Sequence, residues 1–289
     1  MSAAAANSAA ERRGGRRSRY DFHAGDPTPD MSEYEHLDVE RTEGVARIVM
    51  DRPATNNAMD RTMASELRTA TANVVDGDAR CVVLTGSGGA FNAGADLSVL
   101  DGDASDARTL RKIASSLHRA IENLVTARKP VVTGVNGVAA GGGFGLALSG
   151  DLVVVADDAR FEFAYPRVGL TGDGGSTYFL PRLVGLQRAK EIALLDEPID
   201  AESAVEMGLA TEATAAFDER VAELAADLAD GPTRAYGATK RLLTESAGRG
   251  LSTQMAAEVD AITWATRSAD YERGLAAFFG GDDPAFEGR

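Results

Sequence analysis

The stretch that most restricts how this chain folds is "PVVTGVNGVAAGGGFGLALSGDLVVVAD", residues 130–157. Two β-branched runs, "PVVTGV" (130–135) and "DLVVVAD" (151–157), enclose a segment crowded with glycine and alanine. Such runs read as buried strands, and a run of glycines gives up side chains where a backbone must come close to something. The same rhythm occurs earlier. "VARIVM" (45–50) and "CVVLTG" (81–86) read as strands, with helical patterns near 60–75 and 106–127. Strands alternating with helices predict an α/β fold with a parallel sheet and crossover helices. After about residue 185 the strand patterns stop, and helix is expected to the C-terminus with breaks at "GPT" (231–233) and "GRG" (248–250).

Composition narrows the function classes. A chain of 289 residues, 44% hydrophobic and 26% charged, can bury a sizeable core. No uninterrupted apolar run approaches the ~18 residues needed to cross a bilayer, so no membrane role is expected. The net charge of −14 argues against a nucleic-acid surface. Lysine is rare beside arginine, and an acidic, alanine-rich surface of this kind suits a high-salt cytoplasm, although a GC-rich genome would give the same bias. Cys81 is the single cysteine, which leaves no internal disulfide and no cysteine-cluster metal site; a core thiol is expected. Residues 1–30 are rich in Ala, Gly, Arg and Pro, lack apolar periodicity and read as a disordered leader. The arginines have no apolar segment after them, so the leader is not a secretory signal and a cytoplasmic location is expected.

Several nucleotide and nucleophile motifs are missing. "TGSGGAFNAGAD" (85–96) follows a strand but has Phe91 where a dinucleotide loop needs its third glycine. Neither GxxxxGK nor GxSxG occurs. His23, His36 and His118 lack metal-ligand spacing, so surface or capping roles are expected and no metal site is assigned.

Four stretches in register carry the positive signal. They are "DRPATNNAMD" (51–60), "GGAFNAGADLSVL" (88–100), "KPVVTGVNGVAAGGGFGLALSGD" (129–151) and "FAYPRVGLTGDGGSTYFLPRLVG" (163–185). Together they resemble the crotonase superfamily, the enoyl-CoA hydratase/isomerase family, over about residues 31–289. The resemblance implies a crotonase (ClpP-like) α/β fold of repeated ββα units in a spiral. Residues 31–225 would hold the core with the site, and 226–289 a helical region for trimerisation. An acyl-CoA thioester is the implied substrate, with no separate cofactor, and a homotrimer or a dimer of trimers the implied assembly.

Carried over residue by residue, the resemblance makes the N–H groups of Ala95 and Gly142 the oxyanion hole for the thioester oxygen. Asn57, Ala58, Ala93, Asp96 and Leu97 would line the substrate, mostly through main chain. The two glutamates of family hydratases fall at Gly145 and Tyr165, so both are missing here. Instead Asp173 precedes the Gly174–Gly175 pair, where isomerase branches of the family carry an aspartate that handles the substrate proton. The structural alternative for Asp173 is a turn or helix-capping aspartate. Phe144, Tyr165, Val168 and Leu170 are expected to give it an apolar setting, with Tyr165 as a pocket wall or hydrogen-bonding partner. Glu162, on the short strand "RFEF", is expected at the surface. The expected activity is therefore double-bond isomerisation of an enoyl-CoA, with hydration by an atypical acid/base set as the alternative. The C-terminal "GGDDPAF" (280–286) lacks the basic residue that many relatives place there for a CoA phosphate.

Overall fold

A computed structural model describes residues 34–289. The expected leader, residues 1–30, and His23 lie outside the described residues. The described residues open with an antiparallel hairpin, β1 (Leu37–Thr42) and β2 (Val45–Met50), followed by α1 (Arg61–Asp76). Asp60 starts α1, its carboxylate accepting from the Met63 N–H at 2.8 Å. One stripe of that helix, Met63, Leu67, Ala70 and Val74, is buried at the helical spacing expected of a core-facing surface.

Three strand pairs then repeat one device. β3 (Cys81–Gly86) is followed by β4 (Ala90–Asn92) and α2 (Asp106–Thr126). β5 (Val131–Val135) is followed by β6 (Val138–Ala140) and α3 (Gly142–Ala147). β7 (Leu152–Ala156) is followed by β8 (Arg160–Glu162), then α4 (Ser176–Leu183) and α5 (Gly185–Leu195). The longer strand of each pair joins one sheet, ordered β1-β2-β3-β5-β7, and the shorter joins a second, ordered β4-β6-β8. From β2 onward these neighbours are parallel. Each unit thus turns a corner between two sheets and advances one strand, which makes the spiral of ββα units.

β2, β3, β5 and β7 fall where β-branched periodicity places them, within a residue at each end, whereas β1, in a polar segment, falls outside the expected strands. The C-terminal part differs from expectation. Two further strands occur, β9 (Ile199–Asp200) pairing antiparallel with β8, and β10 (Glu212–Thr214) pairing parallel with β7. They edge the two sheets on either side of α6 (Ala201–Glu206). Both are too short for alternation to register, and "EAT" carries no apolar signature at all. The remaining helices are α7 (Phe217–Asp230), α8 (Thr233–Ser246), α9 (Leu251–Ala265) and α10 (Ala269–Gly280), broken where Gly231 and Gly250 stand. Lys240 on α8 ties this region to the core. Its Nζ stands 2.8 Å from an Asp151 carboxylate oxygen and donates to the Leu124 carbonyl at 2.8 Å.

Cys81 is fully buried in β3, beside Val83, Val132 and Val154 and against α7. Burial, and then the negative charge of Asp151, push its thiol up to about 12. Only the thiolate attacks disulfide reagents. Native protein at pH 8 is therefore expected to release no thionitrobenzoate from Ellman's reagent over minutes, and one equivalent after unfolding in guanidinium. Among the described residues no helix is long and apolar enough to cross a membrane, and no group of three metal-ligating side chains occurs.

Candidate functional site

Three backbone turns meet at the ends of the short strands. The first is the loop after β4. Asn92 shapes it, its carboxamide oxygen accepting from the Gly94 N–H at 2.9 Å and its amide donating to the Asn57 carbonyl at 2.6 Å. The Met59 N–H donates to the Gly94 carbonyl, and the Asp96 N–H to the Met59 carbonyl. This bridge uses the residues on either side of Ala95 and leaves the Ala95 N–H without a protein acceptor among the described residues.

The second turn follows β6. Gly141 sits at φ +52° and ψ −121°, a conformation closed to residues with a side chain, and its N–H donates to the Glu162 carbonyl at 3.1 Å. Gly142 opens α3, so its N–H has no partner within the helix, and none is found elsewhere among the described residues. The two loops touch backbone to backbone. A Cβ on Gly94 would lie 2.9 Å from the Ala140 carbonyl oxygen and 3.3 Å from the Gly142 nitrogen. Ala95 and Gly142 are thereby brought together as neighbouring free donors.

The third turn, 172–175, precedes α4 and packs on the second. A Cβ on Gly174 would lie 3.0 Å from the Gly142 carbonyl oxygen and 3.2 Å from its Cα. That contact sets Asp173 beside the glycine turn. Its backbone carbonyl takes the Ser176 N–H and hydroxyl, at 3.1 and 2.8 Å, while α4 has no side-chain cap. The carboxylate is thus free of capping duty. It meets His118 instead, with Nε2 2.5 Å from Oδ1. His118 lies at the surface as expected, its side chain 47% exposed, but it is also paired: α2 carries it alongside Leu117, whose Cδ2 would be 2.9 Å from a Cβ on Gly142. The partners are 55 positions apart, so no local pattern announces the pair. The expected apolar enclosure of Asp173 is only partial, since its side chain is 39% exposed and Val168 and Leu170 also face solvent.

The two positions of the missing glutamates differ in kind. At Gly145 a Cβ would stand 1.8 Å from the Gly174 carbonyl oxygen, so the turn carrying Asp173 occupies the space a side chain would need. Tyr165 is buried, edge-on to Phe163 at 5.0 Å between centroids, and its hydroxyl has no hydrogen-bond partner among the described residues. Burial first, and the charge of Asp173 second, hold its phenol firmly neutral. Tyr165 is thus a buried phenol with a spare donor.

The remaining expected contacts divide. Leu97 is exposed beside the first loop, and Ala93 lies in it, its N–H donating to the Asn56 carbonyl. Ala58 lends its carbonyl to the Arg52 guanidinium. Asp96 is largely buried; the Ser98 hydroxyl and then Arg52 lower its carboxyl below the usual range against the effect of burial. Asn57 departs from expectation. It is fully buried, with its amide on the Ser87 and Ala90 carbonyls, its carboxamide oxygen on the Arg52 N–H, and both backbone groups bonded within the protein. It builds the loop rather than facing open space. Glu162 also departs: it is buried, not superficial, and its side chain pairs with Arg160 at 2.6 Å and with Arg167. Burial works against its charge, but the two guanidiniums outweigh that and lower its pKa.

Comparison with known proteins agrees with this architecture. The model of the enoyl-CoA hydratase/isomerase family matches residues 40–289. A Rhodobacter capsulatus protein named probable enoyl-CoA hydratase is 39% identical over 89% of this chain and 99% of its own length. The 1,2-epoxyphenylacetyl-CoA isomerase of Escherichia coli is 36% identical over 85% of this chain and 96% of its own. Among solved structures, an enoyl-CoA hydratase/isomerase from Cupriavidus metallidurans superposes with a TM-score of 0.81 at 33% identity, covering 90% of this chain and 98% of that one. With the ββα spiral and the paired loops already described, these matches establish that the chain belongs to the enoyl-CoA hydratase/isomerase family and has the crotonase fold.

Proposed function

We propose that this protein is an enoyl-CoA isomerase that moves a double bond along an acyl-CoA thioester by proton transfer on Asp173. The observation that carries this reading is the Asp173 carboxylate beside the Gly142 turn, relieved of capping and paired with His118, while the Gly145 position has no room for a second carboxylate. Hydration is the alternative, and the name of the Rhodobacter relative favours it. It calls for two groups to hold and split a water, whereas isomerisation needs one group to take a proton and give it back.

With a 3-enoyl thioester the steps balance as follows. Asp173 removes a proton from the carbon next to the thioester, and the electron pair moves into the carbonyl, leaving a dienolate. The N–H groups of Ala95 and Gly142 receive the charge that develops on the thioester oxygen. They are idle in the protein and fixed by the loops around them, so they need no rearrangement when charge arrives. One such donor is worth about 3–4 kcal/mol of barrier. The protonated Asp173 then delivers the proton to the fourth carbon, and the double bond comes to rest conjugated with the thioester.

His118 Nε2 stands 2.5 Å from Asp173 Oδ1 and so engages one oxygen, leaving the other to reach the substrate. Removing it leaves the base present but unoriented. His118→Ala is expected to lower kcat about tenfold and KM little, which steady-state rates on the best substrate would show. That substrate is found with a panel of 2-enoyl, 3-enoyl and ring-bearing CoA thioesters. Turnover of the 3-enoyl or ring-bearing members supports the reading; turnover confined to hydration of 2-enoyl members defeats it. A homotrimer, alone or paired, is the assembly this reading expects, and the exposed apolar residues Leu251, Val259 and Ile262 of α9 give it a surface to use.

A further inference from the structure

The segment from Glu162 to Asp173 joins the two halves of the site; Arg160 holds one oxygen of Glu162, and Arg167 alone links the other to Asp196. Arg167 lies in a short 3-10 turn, Tyr165–Val168. Its Nε donates to Asp196 Oδ2 at 2.6 Å, and its Nη1 donates to the Glu162 carboxylate. Both acidic side chains are about nine-tenths buried, whereas Arg167 is 45% exposed. Each acidic residue also reaches the site through a second bond, Glu162 by its backbone and Asp196 by its other carboxylate oxygen. The backbone carbonyl of Glu162 accepts from Gly141, the residue that sets the direction of the Gly142 N–H. Asp196 Oδ1 accepts from the Ala164 N–H at 2.6 Å, just ahead of Tyr165.

Backbone strain marks the same place. Ala164 at φ +62° and Asp196 at φ +55° both occupy the left-handed region without being glycine. Such residues persist only where surrounding bonds over-determine them. Here the two strained residues bond to each other, and Arg167 locks the pair to Glu162. An exposed ion pair alone contributes little to stability. A fork that ties two buried carboxylates, one on the residue that holds Gly141 and the other on the Ala164–Tyr165 backbone, has a different use.

We propose that Arg167, forked between Glu162 and Asp196, is a positioning residue that sets the oxyanion turn at 141–142 and the Tyr165–Asp173 segment against one another. The role requires arginine. A lysine keeps the charge, but its single ammonium lacks the planar fork that reaches both acids. The proposal rests on the isomerase reading for what the site does, though not for the clamp itself.

The test uses Arg167→Lys and Asp196→Asn in the full-length protein, with two readouts. On whichever thioester the wild type turns over, each variant is expected to lose about tenfold in kcat with KM changed less than about twofold, since misplacing groups by a fraction of an ångström acts on the transition state. Hydrogen–deuterium exchange of the peptide spanning 138–144 is expected to quicken about tenfold in both variants, although neither substitution touches that peptide. Unchanged exchange there overturns the proposal, as does a rise in KM with kcat intact. If the wild type turns over no enoyl thioester, the isomerase reading fails and the exchange readout alone decides the clamp. Should Asp196→Asn fail to fold, Arg167→Lys, at a half-exposed site, carries the same two outcomes.

Discussion

Asp173→Asn is expected to lower the isomerisation kcat by about a thousandfold and to leave the affinity for an unreactive CoA thioester within about twofold. The carboxylate oxygens do not hold the turn together; that is the work of the Asp173 backbone carbonyl on Ser176. Asparagine has the same shape, still meets His118 and leaves Gly174 against Gly142. What it lacks is a group that accepts and returns a proton, a contribution of roughly 10²–10⁴ in rate. The thousandfold loss corresponds to about 4 kcal/mol of transition-state stabilisation. Steady-state kinetics beside competitive inhibition by a saturated acyl-CoA separate the two quantities. A loss in inhibitor affinity equal to the loss in rate would mean that Asp173 binds rather than reacts.

Gly145→Ala is expected to damage both fold and activity. The added methyl would stand 1.8 Å from the Gly174 oxygen, 2.6 Å from its carbonyl carbon and 3.1 Å from the Ser176 nitrogen, all of them backbone. No side-chain rotation relieves such an overlap. Nor can α3 retreat, because Gly143 already lies where a Cβ would be 2.1 Å from the Asn92 carbonyl oxygen. Overpacking of this kind costs about 3 kcal/mol, at the upper end of its usual range. For a chain of this length that lowers the melting temperature by about 5 °C. Calorimetry checks the stability, and the remaining folded protein is expected to have lost most of its kcat, because the displaced turn carries Asp173. Full stability in Gly145→Ala, or hydratase activity in Gly145→Glu, would show that the turn is not seated as described.

The long strands were legible because "VARIVM", "CVVLTG" and "DLVVVAD" carry their own periodicity. Of the short strands, "RFEF" was read as β8, but β4 and β6 were not legible: each has three residues and is defined by pairing across the chain. The same divide runs through the site. Ala95, Gly142 and Asp173 could be placed from motif register, since glycine turns and their flanks are local. His118 could not, because its meaning comes from a partner 55 residues away. Glu162 was misplaced for a related reason, its burial depending on Arg167 and a turn beyond it. Asn57 shows a third limit. It was expected to offer its main chain to the substrate, yet its N–H and carbonyl are bonded to Arg52 and Asn92, and its side chain holds the loop.

The central claim is that this site moves protons on carbon and does not add water. A nuclear magnetic resonance time course of a 3-enoyl-CoA in D₂O, with wild type and Asp173→Asn, reads it in one experiment. The expected wild-type product is the conjugated 2-enoyl thioester with no 3-hydroxyacyl signal, and the variant is expected to leave the substrate almost untouched. A wild type that leaves the 3-enoyl thioester untouched but adds water to a 2-enoyl-CoA would contradict the account.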